Sequence, residues 1–115
     1  MVAAIMNRGL ALRSLGRLAE AVTAYDESIG ILREQVEQEH RQDLRNDLAR
    51  AFYNLALVRE KLKAMPAALD AVRETRRLWE DLVNEGMRHL ERDLDSAKKL
   101  EARLTRRSQP SRLRT

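Results

Sequence analysis

The fold is decided by residues 6–28, MNRGLALRSLGRLAEAVTAYDES, because the chain writes the same pattern again at residues 53–75, YNLALVREKLKAMPAALDAVRET. At this offset of 47, Asn7 falls on Asn54, Leu10 on Leu57, Leu15 on Leu62, Ala21 on Ala68, Ala24 on Ala71 and Glu27 on Glu74. Between the identities, size or polarity is kept: Gly9 meets Ala56, Ala11 meets Val58, Leu18 meets Met65, Val22 meets Leu69 and Ser28 meets Thr75. A repeat of this length marks stacked supersecondary units, none of which can bury its apolar face alone. Such arrays usually present binding surfaces.

The apolar positions around the repeat have helical spacing throughout. Ile5, Gly9, Leu12 and Leu15 form one stripe, closed by Leu15-Gly16. Leu18, Ala21, Val22, Tyr25, Ile29, Leu32 and Val36 form a second, and Leu44, Leu48, Phe52, Leu55, Ala56 and Leu62 a third. Pro66 suits the first turn of a fourth helix, where its missing N–H costs nothing. That helix carries Leu69, Val72, Leu78, Trp79 and Leu82 and stops at Gly86. A fifth stripe runs through Leu90, Leu94, Ala97, Leu100 and Leu104. The spacing predicts helices over about 2–15, 18–38, 42–63, 66–84 and 87–106, with short loops and antiparallel neighbours. No Gly or Pro interrupts Glu37–Asp43, so a fusion of the second and third helices into one stays open, and with it an intertwined dimer.

Composition agrees with an all-α chain. Of 115 residues, 43% are hydrophobic but only 3% aromatic, so the core must be aliphatic and alanine-rich; charged residues make up 35%. There is no cysteine, which excludes disulfides and thiolate metal sites. No apolar run is long enough to span a bilayer, and Asn7 and Arg8 interrupt the mildly apolar N-terminus, so neither a membrane partner nor a signal peptide is expected and a cytoplasmic location is the default. The net charge of +4 belongs to the end of the chain: residues 102–115 hold five arginines and no acid, leaving −1 for residues 1–101. The body is therefore close to neutral. Nucleic acid is not the expected partner; the Arg-rich tail, which no aromatic interleaves, is the only feature that points to it.

The first unit resembles a tetratricopeptide repeat. Gly9 stands where that family wants a small residue deep in its helix A, Leu15-Gly16 at its turn, and Ala21 and Tyr25 as the alanine and aromatic of its helix B. In the second unit Phe52, Ala56 and Ala68 match, Val72 replaces the aromatic and Lys63 the turn glycine. The period is longer than the family's usual one, and Leu44–Ala49 is similar to long-period bacterial members. Leu90, Asp93 and Leu94 echo Leu44, Asp47 and Leu48 at an offset of 46, as the start of a third unit. The resemblance implies antiparallel helix-turn-helix repeats stacked as a short right-handed solenoid: unit one over 1–41, unit two over 42–86, a capping helix over 87–106, and a disordered basic tail over 107–115. It also implies a non-enzymatic adaptor or scaffold that binds a protein or peptide segment in a concave groove lined by helix A residues. On that reading the groove residues are Asn7, Leu10 and Arg13 in unit one, with Ala3, Met6 and Ser14 beside them. Arg50, Tyr53, Asn54, Leu57 and Lys61 follow in unit two, with Glu60 beside them, and Lys99 and Arg103 in the fifth helix, with Ser96, Leu100 and Arg107 beside them.

Asn7 and Asn54 are the sharpest of these. An amide donates and accepts at once, which suits a peptide backbone, although two such residues can equally bridge neighbouring helices. Arg50, Lys99 and Arg103 suit a ligand carboxylate. Met6 and Leu10 occupy places where the family's full clamp for a C-terminal carboxylate needs lysine and asparagine, so that specific activity is not implied. Self-association is the alternative, because two units bury little and the outer face of the first helix offers Val2, Ile5 and Leu12. Trp79 falls on Leu32 of the repeat and reads as core. His40 and His89 have acids at helical spacing but no second histidine near in sequence, and read as solvated surface. No glycine-rich phosphate loop or nucleophile–base set is visible, so no cofactor and no catalysis are expected.

Overall fold

The computed structural model describes residues 2–109. They form five α-helices: α1 (Val2–Ser14), α2 (Leu18–Glu37), α3 (Arg45–Lys61), α4 (Met65–Asn84) and α5 (Glu91–Ser108). A single 3₁₀ turn precedes α3 (Gln42–Leu44) and another precedes α5 (Arg88–Leu90). No strand occurs among the described residues, and none of their helices is long and apolar enough to cross a membrane. The main packing runs between sequence neighbours: α1 on α2, α2 on α3, α3 on α4 and α4 on α5.

The backbone repeats as the sequence does. Gly16 and Lys63, equivalent at an offset of 47, both take left-handed angles, φ 77° and 62°. Each closes its hairpin with the same two bonds: Gly16 N–H to Arg13 C=O and Arg17 N–H to Leu12 C=O in the first, Lys63 N–H to Glu60 C=O and Ala64 N–H to Arg59 C=O in the second. The links between hairpins match too. His40 (φ 56°) and Gly86 (φ 108°) are left-handed, and after each the 3₁₀ turn closes with bonds of 2.9 and 3.1 Å. The left-handed His40 separates α2 from α3, so the two do not fuse.

The core is aliphatic, as the composition requires. Ala21, Ala49, Ala51, Ala56, Ala68 and Ala97 are fully buried, and so are Tyr25, Val58, Val72 and Leu104. Trp79 is buried as expected; its indole N–H donates to Asn46 Oδ1 at 2.9 Å, which satisfies its polar edge. Ser28 and Thr75, another repeat pair, are buried with their hydroxyls donating to the backbone carbonyl four residues back. Thr75 also reaches the Ala49 carbonyl at 3.0 Å and so ties α4 to α3. Both histidines are exposed.

Small meets large where the helices of the first hairpin come closest. A Cβ on Gly9 would lie 2.9 Å from the Tyr25 ring carbons Cε1 and Cζ. In the second hairpin the same two positions hold Ala56 and Val72. A methyl is gained on the small side while the ring gives way to an isopropyl group on the large side, so small still meets large.

The fifth helix runs to Ser108, two residues past the expected end at 106. Leu104 is fully buried and Arg107 reaches a carboxylate on α3, and these hold the last turn. Arg106 and Arg107 also suit a helix C-terminus. Arg107 and Ser108, expected in the disordered tail, are therefore helical; the rest of that expectation, over 110–115, lies outside the described residues.

A left-handed angle costs a side chain about 1 kcal/mol that glycine does not pay, so Lys63→Gly should raise the thermal midpoint by about 4 °C in circular-dichroism melts. Gly9→Ala should lower stability by about 1–2 kcal/mol through overlap with the Tyr25 ring. In a Tyr25→Val background the same change should become stabilising by up to about 1 kcal/mol, because only the gain in helix propensity remains. Additive effects in chemical-denaturation cycles would show that the two positions do not share one contact.

Candidate functional site

An open cleft of about 670 Å³ lies between α1 and α3. One wall is α1, through Val2, Ala3, Met6, Asn7 and Leu10; the other is α3, through Asp47, Arg50 and Asn54. The floor is the second half of α2, through Ile31, Leu32 and Gln35, and Arg41 and Leu44 close one end. Helical spacing explains the walls. Residues 3, 6, 7 and 10 lie on one stripe of α1, residues 47, 50 and 54 on one stripe of α3, and the two stripes face each other across α2.

The cleft mixes apolar side chains with three amides, Asn7, Gln35 and Asn54. Leu10, 42% exposed, is a large apolar side chain left open to solvent there. Two cations line it, each already near an acid. Arg41 holds Asp43 through two bonds of 3.1 Å, and this contact keeps the Asp43 carboxyl below the usual carboxylate range. Arg50 donates to Asp47 at 3.2 Å. Both pairs are exposed and contribute little to stability, so either arginine can turn to an incoming group at small cost.

Of the ten residues expected to line a groove, Asn7, Leu10, Arg50 and Asn54 meet in this cleft. Arg13, Leu57 and Lys61 continue the same two stripes toward the α1–α2 and α3–α4 turns. Tyr53 packs on Trp79, with ring centroids 5.8 Å apart and planes tilted by 43°. Lys99 is exposed on α5 and does not line the cleft. Sequence reasoning missed the floor and the end, Ile31, Leu32, Gln35, Arg41 and Leu44, because it looked only at helix A positions. The i, i+4 pair Ile31 and Gln35, on the flank of the apolar stripe of α2, was the available signal. The outer face offered for self-association is partly used within the chain: Ile5 is buried and Val2 lines the cleft, while Leu12 is half-buried over a shallow hollow with Arg8, Arg17 and Glu20.

Arg103 is already bound. Between α3 and α5, Glu60 accepts from two of its nitrogens, Nε to Oε2 and Nη2 to Oε1, each at 2.8 Å. Arg107 adds a third bond, Nη1 to Oε2 at 2.7 Å. Glu60 is buried, yet these guanidiniums outweigh the cost of burial and hold its carboxyl below its usual range, the Arg103 hydrogen bonds contributing most. The gap between the second unit and the fifth helix is thus closed by a strap, whereas the gap between the two units is open.

No protein-family model, curated protein or solved structure matches the chain.

The strap makes stability depend on pH. Glu60 has a lowered folded-state pKa, so its contribution is complete above the unfolded carboxyl pKa of about 4.3 and is lost as pH falls through the lower folded value. Glu60→Gln should cost about 1–2 kcal/mol at pH 7, a figure discounted for the half-exposed arginines. Denaturation curves of the two proteins should draw together as pH falls below about 4.3; a gap that does not narrow with falling pH would mean the loss is one of packing.

Proposed function

We propose that this protein is a small tetratricopeptide-like adaptor that binds an extended protein segment in the α1–α3 cleft. The observation that carries this reading is the cleft itself: repeat-equivalent amides, Asn7 and Asn54, stand on opposite walls above a floor of Ile31, Leu32 and Gln35. A peptide backbone between them meets a donor and an acceptor on each side, Met6, Leu10 and Leu32 meet its apolar side chain, and Arg41 or Arg50 meets an acid. The resemblance in sequence implied such a groove on these helices. Support for a short solenoid comes from neighbour-to-neighbour packing and from a radius of gyration of 14.8 Å, above the about 13 Å of a compact domain this long. On this reading α5 is the polar cap, the protein acts as a non-enzymatic scaffold in a bacterial-type cytoplasmic setting, and it needs no cofactor.

Selection of a displayed peptide library on the immobilised full chain tests the proposal. Selected peptides should bind the Asn7→Ala, Asn54→Ala double variant at least tenfold more weakly, with far-ultraviolet circular dichroism unchanged. Equal binding by the double variant would remove the cleft as the site.

A further inference from the structure

In the gap between α3 and α5 a carboxylate sits between two cations: Glu60 holds Arg103 and Arg107. The gap between α1 and α3 is built on the same plan, because the repeat carries α1 onto α3 at an offset of 47 and α3 onto α5 at an offset of 46. On that mapping Arg13 stands where Glu60 does, and Leu57 and Lys61 stand where Arg103 and Arg107 do. The second gap reads acid against two bases. The first reads Arg13 against Leu57 and Lys61, with no acid at any of the three positions.

Three further observations bear on this place. Neither Arg13 nor Lys61 has an ion pair or a side-chain hydrogen bond among the described residues, although fourteen ion pairs are formed elsewhere. Tyr25, whose ring lies against Gly9 one turn before Arg13, is fully buried, and its hydroxyl has no hydrogen-bond partner. Burial pushes that hydroxyl's pKa up, and the nearby Arg13 guanidinium opposes the rise. Finally, Arg13 lies on the stripe of Asn7 and Leu10, and Lys61 on the stripe of Asn54 and Leu57, so both continue the walls of the cleft.

We propose that the space between Arg13 and Lys61 is a carboxylate subsite, in which an acidic group of the bound segment plays the part that Glu60 plays between α3 and α5. Leu57 lies along the aliphatic stem of that group, and the ligand closes the first gap as the strap closes the second. This rests on the cleft being a binding groove and adds to it the position of the ligand's acid.

The test has two arms, both on the full chain. The first is a thermal-melt cycle of Arg13→Glu, Lys61→Glu and the double variant. Each change removes a favourable base from a helix C-terminus, so the coupling is read rather than either single shift. The double variant should melt about 2–4 °C below the sum of the singles, because each single variant creates an opposite-charge pair and the double restores like charges. Additive shifts overturn the juxtaposition.

The second arm is a nuclear magnetic resonance titration with sodium acetate, against sodium chloride at equal ionic strength. Acetate should shift the Arg13 Nε–H and the Leu57 and Lys61 amides saturably, chloride should not, and Arg13→Met should lose the response. Equal shifts with both salts, or none, overturn the subsite. Peptide capture that still depends on Asn7 and Asn54 would then show that the groove stands and only its anion subsite falls.

Discussion

The distance between paired helices governs this molecule, and the contact of Gly9 with the Tyr25 ring shows how tightly that distance is set. A core with so few aromatics cannot fill wide interhelical space, so the backbones themselves must come close. Buried alanines make this possible on every helix from α2 to α5, and Gly9 does so on α1. The second hairpin meets the same need with Ala56 and Val72, both fully buried. Because a methyl is gained on one side while a ring gives way to an isopropyl group on the other, the pairing of small with large is what the repeat preserves, and identity at either position is secondary.

Chain order and the apolar stripes set which helices are neighbours, and charged side chains then join them across their exposed edges. Every ion pair among the described residues uses arginine: Arg8 joins α1 to α2, Arg59 joins α3 to α2, Arg45 reaches Glu85 beyond the end of α4, and Arg73 and Arg76 meet Glu101 on α5. Arg33 also lies over the Phe52 ring, 5.3 Å from its centroid. A guanidinium can hold two acceptors in a plane and stack on an aromatic face, which an ammonium cannot. Most of these pairs are half-exposed and individually weak, so their effect is on register more than on stability. Glu60 is the exception, because it is buried and three bonds converge on it.

The helices were legible because the two repeats agree on apolar stripes and turns, and Gly16, Pro66 and Gly86 punctuate them. Boundaries were less legible where conformation runs against residue type. Lys63 and His40 adopt angles that glycine prefers, so no residue announces those stops, and the single 3₁₀ turns before α3 and α5 look like helix in any apolar pattern. The site was half legible. Asn7, Leu10, Arg50 and Asn54 follow from period alone, since they share faces of α1 and α3. The floor from α2 did not, because a residue such as Gln35 enters the cleft only through tertiary placement. Arg103 read as free because its partner Glu60 lies 43 residues away in sequence, beyond any local pairing rule.

The floor and one end of the cleft come from the residues that lengthen the repeat. The 20-residue α2 carries Ile31, Leu32 and Gln35 in its C-terminal half, and the turn at Arg41–Leu44 then delivers the chain to α3. The stretch around Glu34–Asp47, which takes the period to 47, thus contributes Gln35, Arg41, Leu44 and Asp47 to the lining. A shorter α2 would bring in α3 without these side chains, and Asn7 and Asn54 would stand over a smaller floor. Between α3 and α5 the corresponding place is spanned by Glu60 with its two arginines, so the same repeat plan leaves one gap open and straps the other.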